Sequence, residues 1–145
     1  MKRKHFLANI DENQIASAIA LAEQKTSGQI RVFVSHHRCT DPMLMARKHF
    51  HRLGMAKSHH RNGILIFVAP ESQTFALVGD AGVHDKCGDT FWHALRDEMI
   101  PEFKTERYTD GIVHAIRRAG ELLATHFPVK PGAPNHQTQD TRTPN

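Results

Sequence analysis

At 145 residues the chain has room for one domain with one sizeable core, and no second hydrophobic block is available to build another. Its 19 Lys and Arg exceed its 15 Asp and Glu by four, and the surplus is spread along the whole length, which bears on solubility before it bears on partners. That spread excludes a concentrated nucleic-acid footprint, and the two cysteines, Cys39 and Cys87, lack the CxxC spacing or number of a disulfide framework.

The opening segment, Met1-Lys-Arg-Lys-His-Phe-Leu-Ala-Asn-Ile-Asp11, carries positive residues without the apolar stretch of a signal peptide, so residues 1–10 read as a lead-in. Asp11 followed by Gln14 resembles a capping box, and Ile15, Ala18, Ile19 and Ala22 share a helical face, predicting a helix to about Thr26. Ser27-Gly28 ends it. Gln29-Ile-Arg-Val-Phe-Val-Ser35 alternates β-branched residues with others and predicts a first strand. Asp41-Pro42 predicts an N-cap with proline in the first turn, and Met43, Ala46, Phe50 and Leu53 are expected to form the buried side of a second helix.

After the polar loop of residues 57–62, Gly63-Ile-Leu-Ile-Phe-Val-Ala69 is an unbroken apolar run suited to a central strand covered on both faces. Pro70 to Gln73 has hairpin length, and Thr74-Phe-Ala-Leu-Val-Gly79 reads as a third strand. Beyond Gly82, Trp92, Leu95, Met99 and Phe103 share a helical face, with a kink or break expected at Pro101. Ile112, Ile116, Ala119 and Leu123 define a last helix that ends before Phe127-Pro128. Residues 129–145, polar and holding Pro131, Pro134 and Pro144, are expected to be disordered. The domain is thus expected over residues 11–128.

The order α, β, α, β, β, α, α makes the first two strands parallel through a right-handed crossover and the third antiparallel to the second. The expected fold is α/β: a three-layer α/β/α sandwich with a small mixed β-sheet flanked by helices.

This topology sets the starts of strands one and two beside the end of strand three. Gln29, Asn62 and Asp80 therefore converge, with Gly63, Gly79, Gly82, Asp85 and Asp89 around them. Carboxylate and amide oxygens at one edge are donors a hard cation prefers, so calcium or magnesium is the expected cofactor, on Asn62, Asp80 and Asp89. Each residue type also has an ordinary reading, because Asn, Asp and Gly are turn and cap residues and Asp89 suits an N-cap.

Twelve histidines raise the alternative of a histidine-based metal binder, but no HExxH or Cys/His spacing is present. His49 and His51 project about 200° apart on a regular helix and do not chelate together. Gly79-Asp-Ala-Gly82 is too short for a dinucleotide fingerprint, so no nucleotide cofactor is expected. No GxSxG elbow marks a nucleophile, and the catalytic residues, if any, stay unknown. The short basic pairs Met1-Lys-Arg-Lys4 and Arg117-Arg118 do not amount to nucleic-acid binding, and no run reaches the roughly 18 to 20 apolar residues of an integral membrane segment. A cytoplasmic location is expected.

The segments Ser27-Gly-Gln-Ile-Arg-Val32, Arg61-Asn-Gly-Ile-Leu-Ile-Phe-Val-Ala-Pro-Glu71, Val78-Gly-Asp-Ala-Gly-Val-His84 and Phe103-Lys-Thr-Glu-Arg-Tyr-Thr-Asp-Gly-Ile112, in that order, resemble the TPM domain family. That family is named for a thylakoid-lumen phosphatase, a photosystem II repair protein and a nematode acetylcholine-receptor modulator. The resemblance implies an α/β/α sandwich with an acidic crevice, divalent-cation binding and, in plant members, phosphatase activity. Residue by residue, the crevice falls on Asn62 and Asp80, with Asp110 added near the start of the last helix. The family usually has Glu after the Ser-Gly pair, where this chain has Gln29, so one anionic ligand is lost. The chain is similar to short, free-standing bacterial members. The expected role is an accessory or binding domain with an unknown protein partner; the alternative is a metal-dependent phosphatase-like hydrolase, in which a cation polarises a phosphoryl oxygen and orients a water.

Overall fold

The computed structural model describes residues 7–129. Alternation along a strand sends successive side chains to opposite faces, and here that divides the core in two. Strands β1 (Gln29–Val34), β2 (Gly63–Ala69) and β3 (Thr74–Gly79) form one sheet in the order β1-β2-β3. β1 and β2 run parallel, with Gln29 opposite Gly63 and Val34 opposite Val68. β2 and β3 are antiparallel, with Ile64 opposite Gly79 and Ala69 opposite Thr74. The connection between them is one 3-10 turn, Pro70–Ser72, closed by Gln73 at φ 54°.

Ile64, Ile66 and Val68 of β2, together with Ile30, Val32 and Leu77, pack against the three helices on one face: α1 (Glu12–Glu23), α3 (Ala81–Lys104) and α4 (Tyr108–His126). Leu65, Phe67 and Ala69, with Ala76 and Val78, pack under α2 (Pro42–Arg52) on the other face. An apolar residue at every position of β2 is what two covered faces demand. The three layers and four helices among the described residues agree with the α/β sandwich expected from sequence.

Local chemistry starts the helices. Asp11 accepts from the Gln14 N–H at 3.0 Å and Asp41 from the Leu44 N–H at 3.1 Å. α1 stops at Glu23, short of Thr26, because the Thr26 hydroxyl is drawn to the end of α4, donating to the Leu123 carbonyl at 3.1 Å and accepting from the Gly28 N–H at 3.0 Å.

Two expectations are corrected. In α2, Ala46 and Phe50 are buried but Met43 is 38% exposed, because the first turn overhangs the rim of the sheet rather than its centre. In α3 the break falls at Gly88 (φ 67°, ψ −177°), a conformation open only to glycine, and Pro101 keeps helical angles. Pro101 costs the helix one bond, to the Asp97 carbonyl, but the backbone keeps helical angles through it, and its own carbonyl accepts from the Thr105 N–H at 3.2 Å. The expectation of a disordered segment 129–145 lies, apart from Val129, outside the described residues.

Candidate functional site

The register brings the strand ends together as the topology requires. Gln29 stands opposite Gly63, and the Asp80 N–H donates to the Gly63 carbonyl at 2.9 Å. Asp80 then caps α3, its Oδ1 accepting from the Ala81 N–H at 2.7 Å. The loop before β2 turns sharply at Arg61 (φ 52°). It also abuts the start of α3: the Gly82 N–H donates to the Arg61 carbonyl at 2.9 Å, and a Cβ on Gly82 would come 2.4 Å from the His60 carbonyl oxygen. Glycine at position 82 is what lets helix and loop approach this closely.

That approach presents Arg61 to Asp80. The guanidinium donates through Nε to Oδ2 at 2.9 Å and through Nη2 to Oδ1 at 2.8 Å, a two-pronged charge-assisted pair. Asp80 is sunk, with 4% of its side chain exposed, whereas that of Arg61 is 50% exposed. The pair also raises Arg61 above its usual value, through the hydrogen bond first and the charge of Asp80 second.

Asn62 is buried and serves as a staple. Its Nδ2 donates to the Ser27 hydroxyl at 3.2 Å, while the Ser58 hydroxyl, 3.4 Å from its Oδ1, accepts from the Asn62 N–H at 3.3 Å. Gln29, assigned with its amide oxygen toward Arg31, accepts from Nη2 at 2.9 Å and Nε at 3.1 Å. The strand ends therefore set guanidinium groups against both Asp80 and Gln29, where the resemblance implies an acidic crevice.

The remaining expected residues stand on the two long helices α3 and α4. Asp85 and Asp89 are exposed on α3, Asp89 lying 3.6 Å from His84. Asp110 is in the first turn of α4, in a polar concavity with Glu98, Glu102, Arg107, His114 and Arg117. Leu123, which lies against Gly28 at the strand-end edge, is thirteen residues further along the same helix, or about 20 Å. The structure brings together Gln29, Gly63, Gly79, Gly82, Asn62 and Asp80, and does not bring Asp110 to them.

As arranged, these donors do not fit a divalent ion. Both Asp80 oxygens face a guanidinium, the Asn62 oxygen faces a hydroxyl and the Gln29 oxygen faces a second guanidinium. Among the described residues no group of three or more His, Cys, Asp or Glu is placed to hold a metal ion. Several histidines have other work: His49 stacks on Phe33 with ring centres 4.1 Å apart, and His114 Nε2 lies 2.6 Å from Glu98 Oε1.

Sequence reasoning overlooked Arg61 and Glu23. The first was legible, since the topology that carries Asn62 to Asp80 carries its neighbour as well. Glu23 was not: a charged residue at the end of an amphipathic helix gives no hint that it is buried with Oε2 accepting from the Ile30 N–H at 2.7 Å.

With the geometry in view, comparison with known proteins is informative. The profile of the TPM domain matches residues 1–122. The BA42 protein of the psychrophilic bacterium Bizionia argentinensis is similar in structure, with a TM-score of 0.76 and 38% identity over 86% of this chain and 88% of that one. The N-terminal domain of a protein from P. gingivalis shares the fold at TM-score 0.63 and 14% identity, covering 82% and 79% of the two chains. The N-terminal domain of the cg2496 protein of Corynebacterium glutamicum does so at TM-score 0.56 and 18% identity, covering 83% and 74%. Among curated proteins no relative matches this chain.

Proposed function

We propose, since the chain belongs to the TPM domain family, that it acts as a non-catalytic accessory or binding domain whose strand-end edge is closed by its own cation, the Arg61 guanidinium. The observation that carries this reading is the two-pronged Arg61–Asp80 pair. It supplies the charge compensation that a calcium or magnesium ion would supply, and Gln29, a neutral residue, takes away one reason for such an ion to displace it. A phosphatase-like hydrolysis on Asn62, Asp80 and Asp89 or Asp110 would require Arg61 to swing out, and would still need a general base.

No helix among the described residues is long and apolar enough to cross a membrane. A cytoplasmic setting suits the two free thiols, Cys39 buried and Cys87 half-buried.

The test is a titration with calcium, magnesium and manganese followed by amide NMR, alongside an assay for cation-dependent hydrolysis of a generic phosphoester. The wild type is expected to show neither clustered shifts at residues 29, 62 and 80–89 nor turnover. The double variant Gln29→Glu with Arg61→Gln, which adds a carboxylate and removes the internal cation, is expected to gain cation binding that Asp80→Ala abolishes. Wild-type turnover that needs the cation and disappears in Asp80→Ala would overturn the accessory reading in favour of the hydrolase.

A further inference from the structure

An antiparallel ladder alternates between residues whose backbone groups face the neighbouring strand and residues whose groups face away. Two hydrogen bonds fix that alternation here. Asp80 donates to the Gly63 carbonyl and Ser35 donates to the Val68 carbonyl. Even-numbered residues of β2 therefore bond to β1 and odd-numbered ones to β3, so Phe75, Leu77 and Gly79 direct their N–H and C=O groups outward. Among the described residues none of those three is bonded outside the strand ladder.

The two edges of the sheet are treated differently. On β1 the outward Ile30 N–H is taken up by the buried Glu23 carboxylate at 2.7 Å, which interrupts that edge as a pairing template. Among the described residues nothing comparable closes β3. Instead a groove of about 330 Å³ runs along Phe75 to Gly79, between Pro42, Met43 and Arg47 of α2 and His84, Trp92, His93 and Arg96 of α3. Ala76, Leu77 and Val78 keep 6–8% exposure where the central strand keeps none from Ile64 to Ala69, and Met43 holds its apolar surface open on the groove wall.

The lining is charged on one side of the ledger. The guanidinium groups of Arg47 and Arg96 line the groove beside the imidazoles of His84 and His93, and its carboxylate, that of Asp89, lies 3.6 Å from His84. Arg47 has no ion pair among the described residues, and the contact of Arg96 with its exposed neighbour Asp97, at 3.5 Å, is of the loose surface kind that holds a side chain weakly.

We propose that the free edge of β3 is a docking site for an extended acidic peptide segment of a partner protein, which adds to the sheet as a fourth strand. Phe75 to Gly79 spans about 13 Å, room for a five-residue strand. Backbone pairing with Phe75, Leu77 and Gly79 holds the segment, while its carboxylates meet Arg47, Arg96 and His93 and its apolar side chains meet Met43 and Trp92. This deepens the reading of the chain as a binding domain and rests on it, but it uses a surface other than the Arg61–Asp80 pair.

The test uses an acetylated, amidated heptapeptide in which Glu-Glu and Val-Val pairs alternate, so that each face of the strand carries both a carboxylate and an apolar side chain, a counterpart with lysine in place of glutamate, and the glutamate peptide N-methylated on alternate residues. Titrations into the whole chain are read by amide NMR and hydrogen exchange. The glutamate peptide is expected to slow exchange at Leu77 and Gly79 and to bind at least tenfold tighter than the lysine peptide. The exposed double variant Arg47→Glu with Arg96→Glu is expected to invert that preference with unchanged circular dichroism, and N-methylation on the pairing side to abolish binding. Equal binding of both charges, undiminished binding of the N-methylated peptide, shifts centred away from β3, or no binding at all overturns the proposal. Peptide failure without phosphoester turnover refutes this site alone, whereas cation-dependent turnover refutes the accessory reading.

Discussion

At the scale of the residue, Asp80 shows how one side chain takes on several structural duties. It donates from its backbone to Gly63, accepts from the first N–H of α3 and holds Arg61 with both oxygens. Because Arg61 is half exposed, water screens that pair, and the cap is the part with a dependable magnitude. Asp80→Ala is therefore expected to lower the unfolding free energy by about 1–2 kcal/mol in urea titrations. Arg61→Gln is expected to cost less, since it leaves the cap in place. A loss in Arg61→Gln larger than in Asp80→Ala would show that the ion pair, not the cap, governs this corner.

At the scale of the element, α3 is organised by a glycine that no periodicity argument selects. Gly88 sits at φ 67° and ψ −177°, where a side chain strains the backbone, so Gly88→Ala is expected to cost about 1–3 kcal/mol by chemical denaturation. Pro101→Ala should change stability less, because Pro101 already keeps helical angles near the end of the helix. The contact of α3 with α4 carries a pH signature. Glu98 is held below the usual carboxylate range, first by its hydrogen bond from Arg118 at 3.0 Å and next by His114. A carboxyl depressed in the folded state contributes stability above its unfolded value, and that contribution fades as pH falls through the folded value. The urea midpoint of Glu98→Gln is thus expected to lie below wild type at neutral pH and to converge with it in acid. Parallel curves down to pH 3 would remove Glu98 from the account.

At the scale of the whole molecule, β2 joins two cores. Ile66 belongs to the layer under α1, α3 and α4, and Phe67 to the layer under α2, both with no exposure. Truncating either leaves a cavity in a close-packed interior, so Ile66→Ala is expected to cost about 2–5 kcal/mol and Phe67→Ala about 3–5 kcal/mol. Because both layers share one strand, Trp92 fluorescence and far-ultraviolet circular dichroism should report the same midpoint in each variant. Separate midpoints in Phe67→Ala would mean that the α2 layer melts on its own.

The sequence by itself determined the elements, their order and the direction of each strand. Helical and strand periodicities, the Asp caps and the unbroken apolar run of β2 are local signals, and chain connectivity leaves little freedom in how three strands joined this way can pair. It also placed Gln29, Asn62 and Asp80 at one edge, because topology alone decides which strand ends meet. What those side chains do there depends on which neighbours reach them within about 3 Å, and only the tertiary structure decided that. It paired Asp80 with Arg61, bound Asn62 to serines, buried Glu23 on one sheet edge and left the other beside a basic groove. The physical reason is one of range: periodicity is written in residues a few positions apart, whereas these partnerships join positions up to 35 residues apart, through a sheet and helix packing that no short window contains.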